Sequence, residues 1–244
     1  MSANLQTTQP PGDPHVPETA FGKWFLRTET WTVHVLERAL QDLERLMPAT
    51  AAAGRRSFGV VADVGCGYGR SLPKLHQRFA PTRLIGMDIE PEMLEASSKE
   101  VAAAGINAEF ICCSSSNIAL PDNSVDLLFC HQTFHHLIDQ EKAIEEFFRV
   151  LKPGGVLLFA ESTRRYIHSW IIRLLFAHPM DVQKTAPEYL ALVRAAGFSV
   201  PDSAVSYPFL WWSREDLGLL ETALRIKPKA VREETLINLV AVKP

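Results

Sequence analysis

The stretch Val60-Val61-Ala62-Asp63-Val64-Gly65-Cys66-Gly67-Tyr68-Gly69-Arg70 decides the fold. An apolar run ends in an acid and then in three glycines at two-residue spacing. That is the pattern of a buried parallel strand emptying into a loop that lets a ligand touch backbone. Without a Cβ, Gly65, Gly67 and Gly69 can take positive φ and admit close approach. The following segment, Ser71 to Phe79, is expected to start a helix whose first amides face the ligand. A dinucleotide loop would order its glycines G-x-G-x-x-G. Arg70 holds the third position counted from Gly65, and Leu72 the one counted from Gly67, so the pyrophosphate reading weakens.

Outward from this loop, Arg83-Leu84-Ile85-Gly86-Met87-Asp88 is a second strand ending in an acid, about 20 residues beyond the glycines. A carboxylate there can accept hydrogen bonds from two vicinal ribose hydroxyls. Pro91-Glu92-Met93-Leu94 then opens a helix. Phe110 to Ser114 reads as a third strand and its exit loop, Asn117 to Phe129 as the approach and fourth strand, and Arg149 to Phe159 as helix end, turn and fifth strand. Pro153-Gly154-Gly155 is expected to stop the helix and turn the chain into that strand.

The order Asp63-x-Gly65-x-Gly67-x-Gly69, with Asp88 and the three later segments, resembles the class I S-adenosylmethionine-dependent methyltransferases, in their small-molecule, type 11-like branch. The resemblance covers residues 58–161, with looser matches at 185–200 and 235–243. It implies an α/β fold: a doubly wound, mostly parallel, seven-stranded Rossmann-like sheet with an N-terminal helix and α-helical lid insertions. The implied cofactor is S-adenosylmethionine, leaving as S-adenosylhomocysteine, with the glycine loop around its methionine half. Its expected contacts are Asp63, Gly65, Cys66, Gly67, Gly69, Asp88, Ile89, Met93, Ser114, Ser115 and His131. The chain departs from the family where an acid often accepts the adenine amino proton. Here Ser114 stands, followed by Ser115 and Ser116, so either a hydroxyl or the backbone amides of those serines hold adenine.

Composition agrees with one soluble enzyme domain after a short tail. With 244 residues, 47% of them apolar, the chain can bury a substantial core, and a net charge of −3 disfavours nucleic acid as partner. No apolar stretch reaches the roughly 20 residues that cross a bilayer, and no signal-peptide pattern opens the sequence. A cytoplasmic location is expected, with room for peripheral membrane contact if the acceptor is lipid-like. Oligomeric state is not legible. Cys66, Cys112, Cys113 and Cys130 suit reduced thiols. A zinc site from Cys66, Cys113, Cys130 and His131 is imaginable at one sheet end, but no metal-type spacing supports it, so no metal is expected.

Residues 1–19, with Pro10, Pro11, Pro14 and Pro17, are expected to form a disordered, dispensable arm ahead of a domain spanning 20–244. Trp24, Trp31, Val35, Ala39, Leu43 and Leu46 suit one helix from Phe21 to Met47, ended by Pro48 and an Ala-rich linker. Between 162 and 230 lie a short apolar helix candidate at Arg164 to Ala177 and a helix opened by the capping box Thr185 to Glu188 and closed by Gly197. The run Tyr207 to Trp212 follows, then a helix capped by Ser213. Grouped with Trp24, Phe25 and Trp31, these aromatics suggest a lid over a small apolar or aromatic acceptor.

Methyl transfer asks for alignment and, where the nucleophile carries a proton, for a base. Cys130-His131-Gln132-Thr133-Phe134-His135-His136-Leu137 supplies the candidates. His131 directly follows the fourth strand, and its near-neutral pKa suits a general base, with His135 second and cofactor positioning or packing the alternative for each. A noncatalytic protein that binds S-adenosylmethionine would keep the same acids and glycines yet lack a roomy acceptor pocket. An NAD(P)-dependent oxidoreductase would require the glycine that Arg70 replaces.

Overall fold

The computed structural model describes residues 5–7, 16–47, 58–214, 225 and 232–244. Its centre is a sheet of β1 (Leu5–Thr7), β2 (Val60–Val64), β3 (Arg83–Asp88), β4 (Glu109–Cys112), β5 (Val125–His131), β6 (Leu151–Ser162), β7 (Val205–Ser206) and β8 (Leu236–Val242). Their order is β1-β4-β3-β2-β5-β6-β8-β7. All pairings up to β6 are parallel, and β8 runs antiparallel to both β6 and β7. The chain winds one way from β2 through β3 to β4 and the other way from β5 to β6. The crevice beyond the carboxyl ends of β2 and β5 is therefore the switch point where a ligand fits.

Apolar runs such as Val125–His131 are nearly continuous because both sheet faces are covered. One face packs on α5 (Gln140–Val150) and α8 (Ala186–Ala195) through Ile144, Phe147, Tyr189 and Val193. The other packs on α2 (Glu37–Leu46), α3 (Ser71–Phe79) and α4 (Pro91–Ala103) through Leu40, Leu43, Leu72, Leu75 and Leu94. The Thr185 to Glu188 capping box is present in both directions at the start of α8.

Four expectations change. The sheet has an eighth, edge strand, because Leu5–Thr7 of the expected arm pairs in parallel with Phe110–Cys112. Val16 and Glu18 of the same arm wall a cavity, so 1–19 is not wholly a free tail; residues 1–4 and 8–15 lie outside the described ones. The single N-terminal helix is broken into α1 (Ala20–Phe25) and a π-helical turn, Trp31–Leu36, that runs into α2. Thr28 causes the break: its hydroxyl donates to the Phe25 carbonyl at 2.7 Å and accepts from the Trp31 amide at 3.2 Å, competing with helical pairing. Finally, Pro153-Gly154-Gly155 lies inside β6 as a bulge, between the pairs Val125↔Leu151 and Leu127↔Val156, with Gly154 at φ 75°. The linker after Pro48 and the helix capped by Ser213 lie outside the described residues.

Beyond β6, α6 (Arg164–Ile167) and α7 (Trp170–Leu175) contribute Tyr166, Ile167 and Ile172 to the wall of a cavity beside the switch point. Here α1 meets the end of α7. Thr19 Oγ1 donates to the Leu175 carbonyl at 2.7 Å, and the rings of Phe21 and Phe25 pack edge-on to Phe176.

Candidate functional site

The carboxyl ends of β2, β3 and β5 open into one cavity, walled from above by Val16, Glu18, Leu26 and Trp31. The glycine loop forms its floor, and the three glycines do different work. A Cβ at Gly65 would collide with the Thr133 side chain, and one at Gly69 with Ser97 of α4, so these two let elements pack. A Cβ at Gly67 would meet nothing within 4 Å, and this residue lines the cavity at φ 51°. Gly65 and Gly67 both line the cavity, Gly67 with open space at its Cβ position, whereas Gly69 is turned to α4. Cys66 also lines the cavity, its thiol pushed well up by burial and facing Ser97 Oγ at 3.9 Å.

Asp88 organises the loop. Its Oδ2 accepts from the Gly67 amide at 2.9 Å and its Oδ1 from the Glu90 amide at 3.0 Å, which leaves each oxygen a further lone pair for a ligand. Desolvation raises its pKa. Asp63, buried at the end of β2, accepts a short hydrogen bond from Ser71 at the start of α3. Burial, assisted by the nearby Asp88 charge, pushes its pKa up to about 7. Ile89, Met93 and Ile118 add apolar wall.

Ser114 Oγ accepts from the Ser116 amide at 3.0 Å and pairs with Ser116 Oγ at 2.9 Å, within its own turn. Ser114, Ser115 and Ser116 all line the cavity.

His131, at the tip of β5, is 7% exposed and sits between the rings of Phe129 and Trp31, at centroid distances of 5.7 and 5.6 Å. Its Nε2 has no hydrogen-bond partner among the described residues. The near-neutral pKa expected of it is not found. Burial, with a smaller contribution from His135, pulls it to about 3, so the imidazole is neutral at physiological pH. His135 lies in the turn Phe134–His136 and does not face the glycine loop. Its Nδ1 bonds to Glu161 Oε2 at 2.6 Å, while Glu161 Oε1 accepts the Thr133 and Phe134 amides at 2.9 and 2.8 Å.

Glu161 was missed from the sequence although its signal was there. Like Asp63 and Asp88, it is an acid closing an apolar run, Val156 to Ala160. Glu18 and His178, by contrast, stand in segments without periodicity, and only tertiary structure brings them in.

A second cavity adjoins the first and shares Glu18, Leu26, Trp31, Gln132 and His136 with it. Its remaining wall is mainly apolar and aromatic, with Phe25, Tyr166, Ile167, Ile172, Phe176 and Trp212 prominent. Trp212 is fixed by its indole N–H, which donates to the His34 carbonyl at 2.9 Å. Trp24 and Trp211, expected in the same lid, are instead 55% and 48% exposed.

The cavity chemistry fits the cofactor that the sequence implied. Gly67 offers a cradle that a Cβ would fill, Asp88 keeps lone pairs for a ribose diol, and Asp63, Asp88, Glu18, Glu90 and Asp139 outnumber Arg70 among the charged residues lining the cavity. A dinucleotide diphosphate would meet those same carboxylates as repulsion.

Residues 62–159 match the family model described as a methyltransferase domain. A malonyl-[acyl-carrier protein] O-methyltransferase from Marinomonas sp. is 30% identical over 183 residues, 72% of this chain and 65% of that protein. A demethylmenaquinone methyltransferase from Deinococcus radiodurans is 28% identical over 165 residues, 66% of each chain. The crystal structure of a SAM-dependent methyltransferase from Aquifex aeolicus superposes with a TM-score of 0.60 at 21% identity, over 90% of this chain and 96% of that one. This chain spans 65% of the Marinomonas protein and 36–41% of three other curated relatives.

Proposed function

We propose that this chain, a member of the class I S-adenosylmethionine-dependent methyltransferases, transfers the methyl group of S-adenosylmethionine to a small apolar or aromatic acceptor through an O, N or C nucleophile. One observation carries the reading: the second, aromatic-walled cavity adjoins the cofactor cavity and shares Trp31, Gln132 and His136 with it. A noncatalytic binding protein would have no use for that space. The demethylmenaquinone in the name of the Deinococcus relative supports the acceptor class.

S-adenosylmethionine supplies an electrophilic methyl on a sulfonium, so the protein's task is alignment and exclusion of water. Asp88 and the Gly67 backbone hold the ribose side, and the Ser114 to Ser116 turn offers its backbone to adenine. The carboxylates of the cavity favour the cation over the neutral product. We infer that His131, which lines the cofactor cavity and whose Nε2 has no hydrogen-bond partner among the described residues, turns that nitrogen to an acceptor hydroxyl or amine on binding; with a pKa near 3 it takes the proton fully only as charge builds there.

No helix among the described residues is long and apolar enough to cross a membrane. Four buried free cysteines support a reducing compartment, the cytoplasm. Exposed Trp24 on α1 and exposed Trp170 and Leu174 on α7 adjoin the second cavity's wall, and they support brief membrane contact to collect a lipid-like acceptor.

The test is a screen of phenols, hydroquinones, amines and lipids with S-adenosylmethionine, read by mass spectrometry. One class should gain 14 mass units (one CH₂) in step with S-adenosylhomocysteine release, a gain fixed by the chemistry of methylation. Tight S-adenosylmethionine binding without product across every class would replace this reading by the noncatalytic one.

A further inference from the structure

We infer that His135, His136 and His178 form a binding site for a divalent transition cation, zinc foremost, in the wall of the second cavity. The three rings come from two segments. His135 and His136 lie in the turn after β5, and His178 follows α7. One nitrogen from each lies within 4.8 Å of the other two, and the ring centroids are 4.4, 5.1 and 4.7 Å apart. A tetrahedral zinc with bonds of about 2.1 Å draws its ligand nitrogens to about 3.4 Å, within reach of small side-chain rotations.

The surroundings are those a metal-ligating histidine requires. Glu161, fully buried, takes Nδ1 of His135 at 2.6 Å, so Nε2 is the nitrogen left to ligate; a carboxylate fixing the far nitrogen is the usual support for a zinc-bound imidazole. Gln183 clamps the two segments together, donating to the His135 carbonyl at 2.7 Å and the Pro179 carbonyl at 2.8 Å. Glu18 brings Oε2 to 3.9 Å from His136 Nε2, at the distance of a fourth ligand that need move little.

Three imidazoles and a carboxylate oxygen are the donor set of zinc rather than of magnesium or calcium. The set weighed from the sequence, Cys66, Cys113, Cys130 and His131, is not brought to one point among the described residues. Glu18, His135, His136 and His178 all line the aromatic cavity, so displacement of Glu18 would open a coordination position to an oxygen or nitrogen of whatever occupies it.

The site is read without turnover, so it stands or falls apart from the methyl-transfer proposal. Untagged full-length protein, stripped with a chelator, is titrated with Zn²⁺ in competition with a chromophoric chelator and with Co²⁺ by visible absorption. The expected result is one ion per chain with the intense bands of tetrahedral cobalt. His178→Ala and His136→Gln each weaken binding by about 100-fold, and Glu161→Gln by about 10–100-fold. His168→Ala, an exposed neighbour, leaves it unchanged. Thermal melts of the metal-free variants establish that they fold. His136→Gln, on a half-buried ring, serves if His178→Ala does not fold. Absence of stoichiometric binding to the wild type, or equal binding by His136→Gln, overturns the proposal.

Discussion

Alanine at Gly67 and alanine at Gly69 separate ligand contact from packing within one loop. Both residues hold positive φ, 51° and 75°, so an L side chain costs about 1–2 kcal/mol at either place. At Gly69 the added Cβ overlaps the Ser97 side chain and stands 2.9 Å from Ser97 Cα, which is backbone and cannot swing aside. Overpacking of this kind costs about 1–3 kcal/mol more, so Gly69→Ala should destabilise by about 2–5 kcal/mol in all. At Gly67 the Cβ enters open cavity, so stability falls by the backbone cost alone. A methyl standing where the ligand must approach should instead weaken S-adenosylmethionine by about 1–3 kcal/mol, or roughly 5–150-fold. Urea unfolding of the free proteins and titration calorimetry with S-adenosylhomocysteine and S-adenosylmethionine give both quantities. If Gly67→Ala binds as the wild type does, or if Gly69→Ala is no less stable than Gly67→Ala, the division of labour argued for these glycines is wrong.

Asp88→Asn keeps the shape but loses the charge and one of two acceptors, so S-adenosylmethionine should weaken by about 2 kcal/mol while NAD fails to bind either protein; undiminished calorimetric affinity would remove Asp88 from the ribose role. His131→Ala should leave S-adenosylmethionine affinity within about threefold and lower turnover by about 100-fold. With the imidazole pKa at about 3, the wild-type rate at saturating cofactor stays flat from about pH 8 to about pH 5, and an acidic limb near neutrality that vanishes in the mutant would contradict that burial argument. Asp63 titrates at about 7 in the folded protein and about 3.9 when unfolded, so between those values the folded state binds more protons. Its contribution to stability is therefore full below about pH 4 and is lost as pH rises through about 7. Below about pH 6.5, His131 works in the opposite sense, since its folded pKa is depressed and acid favours the unfolded chain. Thermal melts of the ligand-free protein from about pH 6.5 to 8 should show a decline that Asp63→Asn abolishes; an unchanged slope would place the proton elsewhere.

Much of the scaffold was legible because its signals are local. The span Arg83–Asp88, the helix Ser71–Phe79 and the capping box at Thr185 have the residues and bounds expected of them. Where expectation failed, a hydroxyl or a distant strand had intervened: Thr28 cut the N-terminal helix, and the pairing of β6 with β5 and β8 absorbed the Pro-Gly-Gly turn into a bulge. The site divides along the same line. Composition and spacing could place acids at strand ends and glycines in the loop, since strand direction and the absence of a Cβ are properties of the chain itself. They could not tell Gly67 from Gly69, because that difference is made by Ser97 on another helix. Nor could they say that His131 is neutral, that Ser114 bonds to Ser116, or that His178 stands beside His135, more than 40 residues away in sequence. By itself the sequence determined a doubly wound sheet with a glycine loop and acids at its strand ends, through periodicity and local backbone freedom; the cofactor came from the resemblance to a family. The tertiary structure alone decided which polar atoms stay unpartnered and what encloses the second cavity, because desolvation and close contact depend on neighbours that the chain supplies from afar.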